Sequence, residues 1–253
     1  MSINLCTDQL LLNLLPPERI TSVTFLSRER YESFLSAEAW QVGVNHGAAE
    51  EVIRDRPDLV LVGSYSTPDT ARLINAVGIP VLEMEPANSF QDIRDQTRRL
   101  GHLLGVDARA ERLLAEMDAK LAQLKATRPD RPITIVGWEG GGAVPGEGTL
   151  SDAIFSAAGA VNLGASPGLR LGRFDTEQLV LLHPDLLAYG NALIAAPSLQ
   201  EAPLDLPPIR RLYAGREIVY PELLYNCGLP QSADAAIQIR QTMLMALRGV
   251  ANP

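Results

Sequence analysis

Two segments of the chain, 127 residues apart, are written in the same grammar. Residues 50–62 read EEVIRDRPDLVLV and residues 177–189 read EQLVLLHPDLLAY, so Glu50, Pro57 and Asp58 fall in register with Glu177, Pro184 and Asp185. Each segment predicts a helix, a Pro-Asp turn and a buried strand. Proline ends the helix because it has no N–H to give to the ladder. An offset of half the 253-residue chain points to two similar α/β halves rather than one helical bundle or one β-sandwich.

The elements between and around these segments fit that frame. In the first half, Ile3–Leu5 predicts a short strand, and Asp8–Leu15 a helix capped by Thr7 and stopped by Pro16–Pro17. Strands follow at Ile20–Phe25, Leu59–Val62 and Val81–Met84. Helices are expected at Ala48–Arg54, Thr67–Asn75 (Thr67 as cap, Pro68 at the first helical position) and Phe90–Gly101. Asp107–Lys125 is the longest helical stretch, with Leu113, Leu114, Met117, Leu121 and Leu124 forming one apolar stripe. About 19 residues of helix span roughly 28 Å, enough to join two lobes. The second half then opens with strand Ile133–Val136. A glycine-rich loop at Glu139–Gly148 leads to a helix from Thr149 to Ala158, a helix Thr176–Leu182 and a strand Leu186–Tyr189. A short amphipathic segment Ile209–Tyr213, a strand Glu217–Tyr220 and a final helix Ser232–Leu247 complete it. The expected division is residues 1–106, a linking helix 107–127, and residues 128–253.

Composition narrows the function. Asp and Glu outnumber Lys and Arg by 30 to 22, a net charge of −8, which argues against a general nucleic-acid binder. At 46% apolar and 21% charged residues the chain is expected to fold. No run of 18 apolar residues predicts a membrane span, and no signal-peptide pattern opens the sequence. Either the protein is cytosolic or a leader has been removed. Cys6 and Cys227 are the only cysteines, and spacing alone leaves two separate thiols and a disulfide both open.

Motifs for catalysis are missing. The glycines at 140, 141, 142, 146 and 148 lack the Lys-Ser or Lys-Thr of a phosphate loop and the spacing of a dinucleotide fingerprint. There is no zinc-type cluster and no G-x-S-x-G elbow. Asp8, Asp69, Glu50 and Glu51 have no evident partner base. Of three histidines, His46 is placed best for a ligand, in the Gly43–Gly47 loop before a helix, where a parallel sheet opens its binding edge. Aromatic residues make up only 5% of the chain, yet Trp40, Tyr65, Trp138, Phe174, Tyr220 and Tyr225 lie in or beside expected loops. Such residues are suited to a large, partly apolar ligand, and Arg170 and Arg173 would add positive charge.

The ordered set of a G-x-N-H-G loop (Gly43–Gly47), RPDLVLV (Arg56–Val62), V-G-I-P-V (Val77–Val81), the long helix and P-G-x-G-T-L (Pro145–Leu150) resembles the helical-backbone class of periplasmic solute-binding proteins over nearly the whole chain. These serve bacterial ABC importers for vitamin B12, ferric siderophores and haem. The resemblance implies two α/β lobes with largely parallel sheets, joined by one rigid helix, with the ligand held in a cleft between them. It implies no enzymatic activity, no tightly bound cofactor and an extracytoplasmic location with the leader absent. The ligand would be a large metal chelate: a ferric siderophore first, with a corrinoid or haem as alternatives. By position, the family's contact loops fall on Cys6–Thr7, Phe25–Tyr31, Asn45–His46, Gly63–Tyr65, Gly137–Gly142, Leu169–Phe174 and Leu224–Gly228. They supply Cys6, Arg28, Tyr31, Asn45, His46, Tyr65, Trp138, Arg170, Arg173, Phe174, Tyr225 and Cys227 as candidate contacts. The same mapping sets Cys6 and Cys227 on facing lobes, as a clamp, as two thiols or as soft ligands to the metal. The permease would dock on one acidic residue per lobe, Asp69 in the first and, less clearly, a residue near Asn191, Glu201 or Asp205 in the second. Two other readings stay open: a cofactor-binding enzyme on a related two-lobed scaffold, and an adaptor that binds protein.

Overall fold

The repeated segments fold alike. Helices Ala49–Asp55 (α3) and Thr176–Leu182 (α8) each end on a left-handed residue, Arg56 with φ 46° and His183 with φ 45°, whose N–H closes the last turn onto Val52 and Leu179. Proline follows in both cases and blocks any further turn. Each turn delivers the chain into a buried parallel strand, Val60–Gly63 (β3) or Leu186–Gly190 (β9). The structure is a computed structural model, and it describes residues 1–65, 68–139, 142–165, 170–190, 206–220 and 222–251.

The chain divides into two compact units. The first comprises Met1–Ala87, Gln91–Leu114 and Asn226–Leu229; the second comprises Asn88–Phe90, Ala115–Tyr225 and Pro230–Pro253. The long helix Asp107–Ala126 (α6) therefore starts in one unit and ends in the other, and four residues far along the chain belong to the first.

In the first unit, Ser22–Thr24 (β1) pairs in parallel with Gly43–Asn45 (β2), and β3 pairs in parallel with Val81–Met84 (β4). The N-terminal segment lies between the two pairs: Ser2 N donates to Ser22 O at 3.1 Å, and Ser2 forms a parallel bridge with Leu61. The expected strand at Ile3–Leu5 is thus cut to a bridge. The reason is Asn4, whose Oδ1 accepts from Cys6 N and Thr7 N and starts helix Leu5–Leu14 (α1) three residues earlier than expected. Thr7 lies inside that helix, and its hydroxyl meets Ser2 Oγ at 2.7 Å. Helices Ser36–Ala39 (α2), α3, Pro68–Ala76 (α4) and Phe90–Leu103 (α5) complete the unit. Leu10, Leu11, Leu14, Val23, Leu61 and Leu100 form its main core. Thr67, expected to cap α4, lies outside the described residues.

The second unit holds a four-stranded parallel sheet in the order Glu217–Tyr220 (β10), β9, Ile133–Trp138 (β5), Ala160–Asn162 (β7). Asp185, the repeat's aspartate, locks its start by accepting from Thr134 N at 2.8 Å and from Thr134 Oγ1 at 3.0 Å. Helix Leu150–Ala157 (α7) begins as expected, with Thr149 Oγ1 accepting from Asp152 N. The glycine-rich loop is shorter than expected. Ala143–Pro145 (β6) pairs antiparallel with Leu171–Arg173 (β8), which places a small second sheet where two loops were read. Three-residue strands leave too little periodicity to detect in sequence. Helices Pro207–Tyr213 (α9) and Ser232–Ala251 (α10) follow.

Candidate functional site

Parallel strands put all their outgoing loops on one edge, where open α/β sheets bind ligands. In the first unit that edge gathers Phe25 after β1, His46 after β2 and Tyr65 after β3. Cys6, in the first turn of α1, follows the bridged N-terminal segment. The segment joining β1 to β2 adds Tyr31 and Trp40. Exposure sets these side chains apart: Tyr65 is 88% exposed, Tyr31 86%, Trp40 66% and Phe25 43%. Large apolar side chains left this open are candidates for contact with a ligand or partner.

Their positions are held from behind. Phe25 opens a 3-10 turn, Phe25–Arg28, and stacks on His46 with centroids 5.4 Å apart and planes 25° apart. His46 is fixed in turn by Glu51, which accepts from His46 N at 2.7 Å and lies 3.3 Å from His46 Nδ1. Partial burial acts to raise the Glu51 pKa, but hydrogen bonds from His46 and Ala48 outweigh it and hold the carboxyl below its usual range. Arg28 donates to Ala39 O and Val42 O, and its guanidinium lies 4.6 Å from the Trp40 ring centroid. It therefore holds Trp40 by a cation–π contact.

Beneath this surface is a residue that sequence reading passed over as partnerless. Asp8, fully buried on α1, accepts from Thr24 N at 3.0 Å, Thr24 Oγ1 at 2.5 Å and Ser27 Oγ at 2.7 Å, all on Oδ2. Burial pushes its carboxyl up to about 6, against the lowering effect of hydrogen bonds from Ser2, Thr24 and Ser27. No sequence signal marked it, because its partners lie 16 and 19 residues away.

Other expected contacts are placed differently. Asn45 is 1% exposed, and its amide donates to Ser2 O and Ser22 Oγ, so it ties strands together instead of facing solvent. Trp138 is also 1% exposed and packs with Val136, Val144 and Leu179 in the second unit's core. It ends β5, an interior strand of the sheet that is buried along nearly its whole length. Arg170 and Arg173 are exposed on either side of Gly172, and Phe174 is half-buried. Tyr225 packs edge-on against Tyr220, with centroids 4.7 Å apart. Leu169, Gly140, Gly141, Asn191, Glu201 and Asp205 lie outside the described residues.

The cysteine pair departs most from expectation. Cys6 and Cys227 form a disulfide, and Cys227 belongs to the first unit, so the bond lies within that unit and is not a clamp on facing lobes. It removes both sulfurs as thiols or metal ligands. Among the described residues, no group of three or more His, Cys, Asp or Glu could hold a bare metal ion. A pocket of about 390 Å³ lies in the first unit among Met1, Ile20, Thr21, Asp58 and Leu59, which precede the strands, and so away from the aromatic edge.

The chain folds as two α/β units with one helix that starts in the first and ends in the second. The periplasmic binding protein family matches residues 37–173, more than half of the chain, and the chain belongs to that family. No curated protein matches it in sequence. Solved structures share its fold at low identity. The apo periplasmic heme-binding protein RhuT from Roseiflexus sp. RS-1 has a TM-score of 0.79 and 21% identity, covering 97% of each chain. The periplasmic vitamin B12 binding protein BtuF of Vibrio cholerae has a TM-score of 0.72 and 15% identity, covering 98% of this chain and 96% of its own. An ABC-type Fe3+-hydroxamate transport system protein from Saccharomonospora viridis DSM 43017 has a TM-score of 0.72 and 20% identity, covering 95% and 91%. Among the described residues, no helix is long and apolar enough to cross a membrane.

Proposed function

We propose that this protein is the non-enzymatic, extracytoplasmic receptor of an ABC importer, and that it captures a large metal chelate. The observation that carries this reading is the set of exposed aromatics in the first unit: Phe25, which follows β1 and stacks on His46, Tyr65, which follows β3, and Tyr31 and Trp40 in the segment joining β1 to β2. Such a surface favours a flat, apolar-faced chelate. The ligand proposed first is therefore a metal tetrapyrrole (a haem or a corrinoid), ahead of the ferric siderophore that sequence favoured. Arg28, which would meet a siderophore's anionic groups, is engaged with two carbonyls and Trp40. The exposed Arg170 and Arg173 remain proposed contacts for ligand carboxylates, with Phe174 next to them in sequence and Tyr225 on a separate segment. Structural neighbours named for heme, vitamin B12 and Fe3+-hydroxamate support the chelate class without choosing within it.

Absorbance and calorimetric titration with ferric protoporphyrin IX, cyanocobalamin and a ferric hydroxamate tests this. Saturable binding of a tetrapyrrole is expected. Binding of the hydroxamate alone restores the siderophore reading, and binding of none sinks the receptor assignment. Replacing both Phe25 and Trp40 by alanine is expected to weaken tetrapyrrole binding by about 10- to 100-fold, since each buried aromatic contact is worth on the order of 1 kcal/mol. Unchanged affinity would remove the aromatic edge from the site.

The partner would be the importer's permease. Asp69 is proposed as the first-unit docking acid; its side chain is 88% exposed at the start of α4, 2.7 Å from Arg72. Asp69→Arg is expected to lower uptake in a reconstituted transporter by several-fold while leaving ligand affinity unchanged, because exposed charges set docking more than folding. A parallel loss of ligand affinity in the isolated receptor would contradict the docking role.

A further inference from the structure

We propose that Asp8 is the positioning residue of the aromatic edge: from inside the first unit it holds the Phe25–Arg28 turn in its ligand-presenting form, and loss of its negative charge weakens ligand capture. The inference rests on the proposed receptor function and names the control of that same surface.

The geometry supports it in three steps. First, Asp8 caps a turn that does not cap itself. Thr24 precedes the 3-10 turn, and no side chain of the turn's own caps it; the Thr24 hydroxyl is committed to Asp8. The Asp8 carboxylate accepts Thr24 N, the role the N3 side chain plays toward the N-cap residue in a capping box, here filled from another helix. Second, Ser27 is fully buried in the middle of that turn and donates to the same oxygen. Three donors converge on one carboxylate oxygen and hold the turn at both its entry and its interior. Third, the two residues so held are those that organise the surface. Phe25 stacks on His46, and Arg28 ties down Ala39, Val42 and Trp40. A change at Asp8 therefore reaches Phe25 through the backbone of the turn and Trp40 through Arg28.

The energetics explain why a charge here is informative. The hydrogen-bonding partners are neutral: the hydroxyls of Ser2, Thr24 and Ser27 face Asp8 from the N-terminal segment, β1 and the turn. The Met1 ammonium feels its field, which acts to raise a pKa that burial lowers. With the folded carboxyl at about 6 and an ordinary value of 3.8, the folded state holds the proton more tightly than the unfolded state. The contribution of Asp8 to stability is thus fully present below the ordinary value and is lost as pH rises through about 6. An ionised Asp8 weakens the fold while it strengthens the turn, because hydrogen bonds to a charged acceptor are roughly twice as strong as neutral ones. That trade suits a residue serving a site more than one serving the core.

The consequence is measurable in a comparison of the wild type with Asp8→Asn. Asparagine keeps an acceptor of the same shape and removes the charge. Affinity for ferric protoporphyrin IX is expected to be about equal in the two proteins at pH 5 and about tenfold weaker in Asp8→Asn at pH 7.5. The ratio at each pH cancels the titration of the ligand itself. Asp8→Asn is expected to be at least as stable as the wild type at pH 7.5 in urea, whereas a purely structural role predicts a loss. Equal affinities at both pH values, or an equal loss at both, would overturn the proposal.

A second readout needs no ligand. The chain has two tryptophans, so its indole N–H region in NMR holds two resonances. The Trp40 resonance is expected to shift with a midpoint near pH 6 in the wild type and not in Asp8→Asn. A shift that persists in Asp8→Asn comes from a group other than Asp8 and overturns the assignment. If Asp8→Asn does not fold, Ser27→Ala removes one of the three donors; an unchanged Trp40 titration in that variant also overturns the proposal. Failure of ferric protoporphyrin IX to bind the wild type argues against the ligand class alone, and the Trp40 titration then decides on Asp8 by itself.

Discussion

Reducing the Cys6–Cys227 disulfide is expected to lower stability on the order of 5 kcal/mol, the largest single effect anticipated for this protein. The cross-link joins residues 221 positions apart and so constrains nearly the whole unfolded chain. In the chain-entropy account the loss grows with the logarithm of that separation. The native environment favours the bond. Cys227 is 2% exposed, packs in the first unit's core with Leu10 and Leu14, and receives Gln9 Nε2 at 3.5 Å from Sγ. Its neighbour Gly228 sits where any Cβ would come within 2.5 Å of Ala87 Cβ, so the segment is seated by close packing as well as by sulfur. A double Cys6→Ser, Cys227→Ser variant should reproduce the effect of reductant in urea unfolding. The untreated protein should show no titratable thiol until denatured and reduced. Coincident unfolding curves with and without reductant would show that the bond contributes nothing to stability. A bond of this kind persists in an oxidising compartment, in keeping with the family's periplasmic location.

Arg240→Met is expected to destabilise the second unit by about 3 kcal/mol. Arg240 lies on α10, is 5% exposed, and points its guanidinium into the ends of two other helices. It donates to Leu124 O and Thr127 O at the end of α6 and to Ala158 O at the end of α7. Carbonyls at a helix C-terminus have no partner within their own helix, and together they carry the negative end of its dipole. One planar cation serves both ends, a fork that lysine does not reproduce. Methionine fills similar volume and leaves the buried carbonyls unsatisfied, at roughly 1 kcal/mol or more for each. Arg240→Lys is expected to fall between methionine and wild type. Hydrogen exchange should locate the change in the last turns of α6 and α7, and uniform exchange in wild type and Arg240→Met would argue against the tie.

Much of the fold was legible because it is local. The Pro-Asp turns, the Thr149 cap and the unbroken stripe of α6 are short-range signals, and the elements they predict are present. Where two local signals competed, the stronger capping group won: Asn4 drew α1 across the residues expected as a strand. Three-residue strands such as β2, β6 and β8 left no pattern to read, and their partners lie 21 or more residues away. The candidate site was legible only in outline. The exit carrying His46 followed from parallel strands, and those carrying Arg28, Tyr31 and Tyr65 from the family resemblance, but residue type did not tell an exposed ring from a buried one. Trp138 and Asn45 looked like contacts and are packed inside, while Asp8 looked idle and anchors the turn beneath Phe25.

By itself the sequence determined the two α/β units, the helix that passes between them and the family to which they belong. Helix periodicity, proline stops and the 127-residue repeat act through neighbours in the chain. Tertiary structure alone decided that Cys227 returns to the first unit to meet Cys6, that Arg240 closes the ends of two helices, and that Asp8 sits under the aromatic edge. Each of these joins residues that no local rule relates. Their energies come from burial, which exists only once the distant segments have packed.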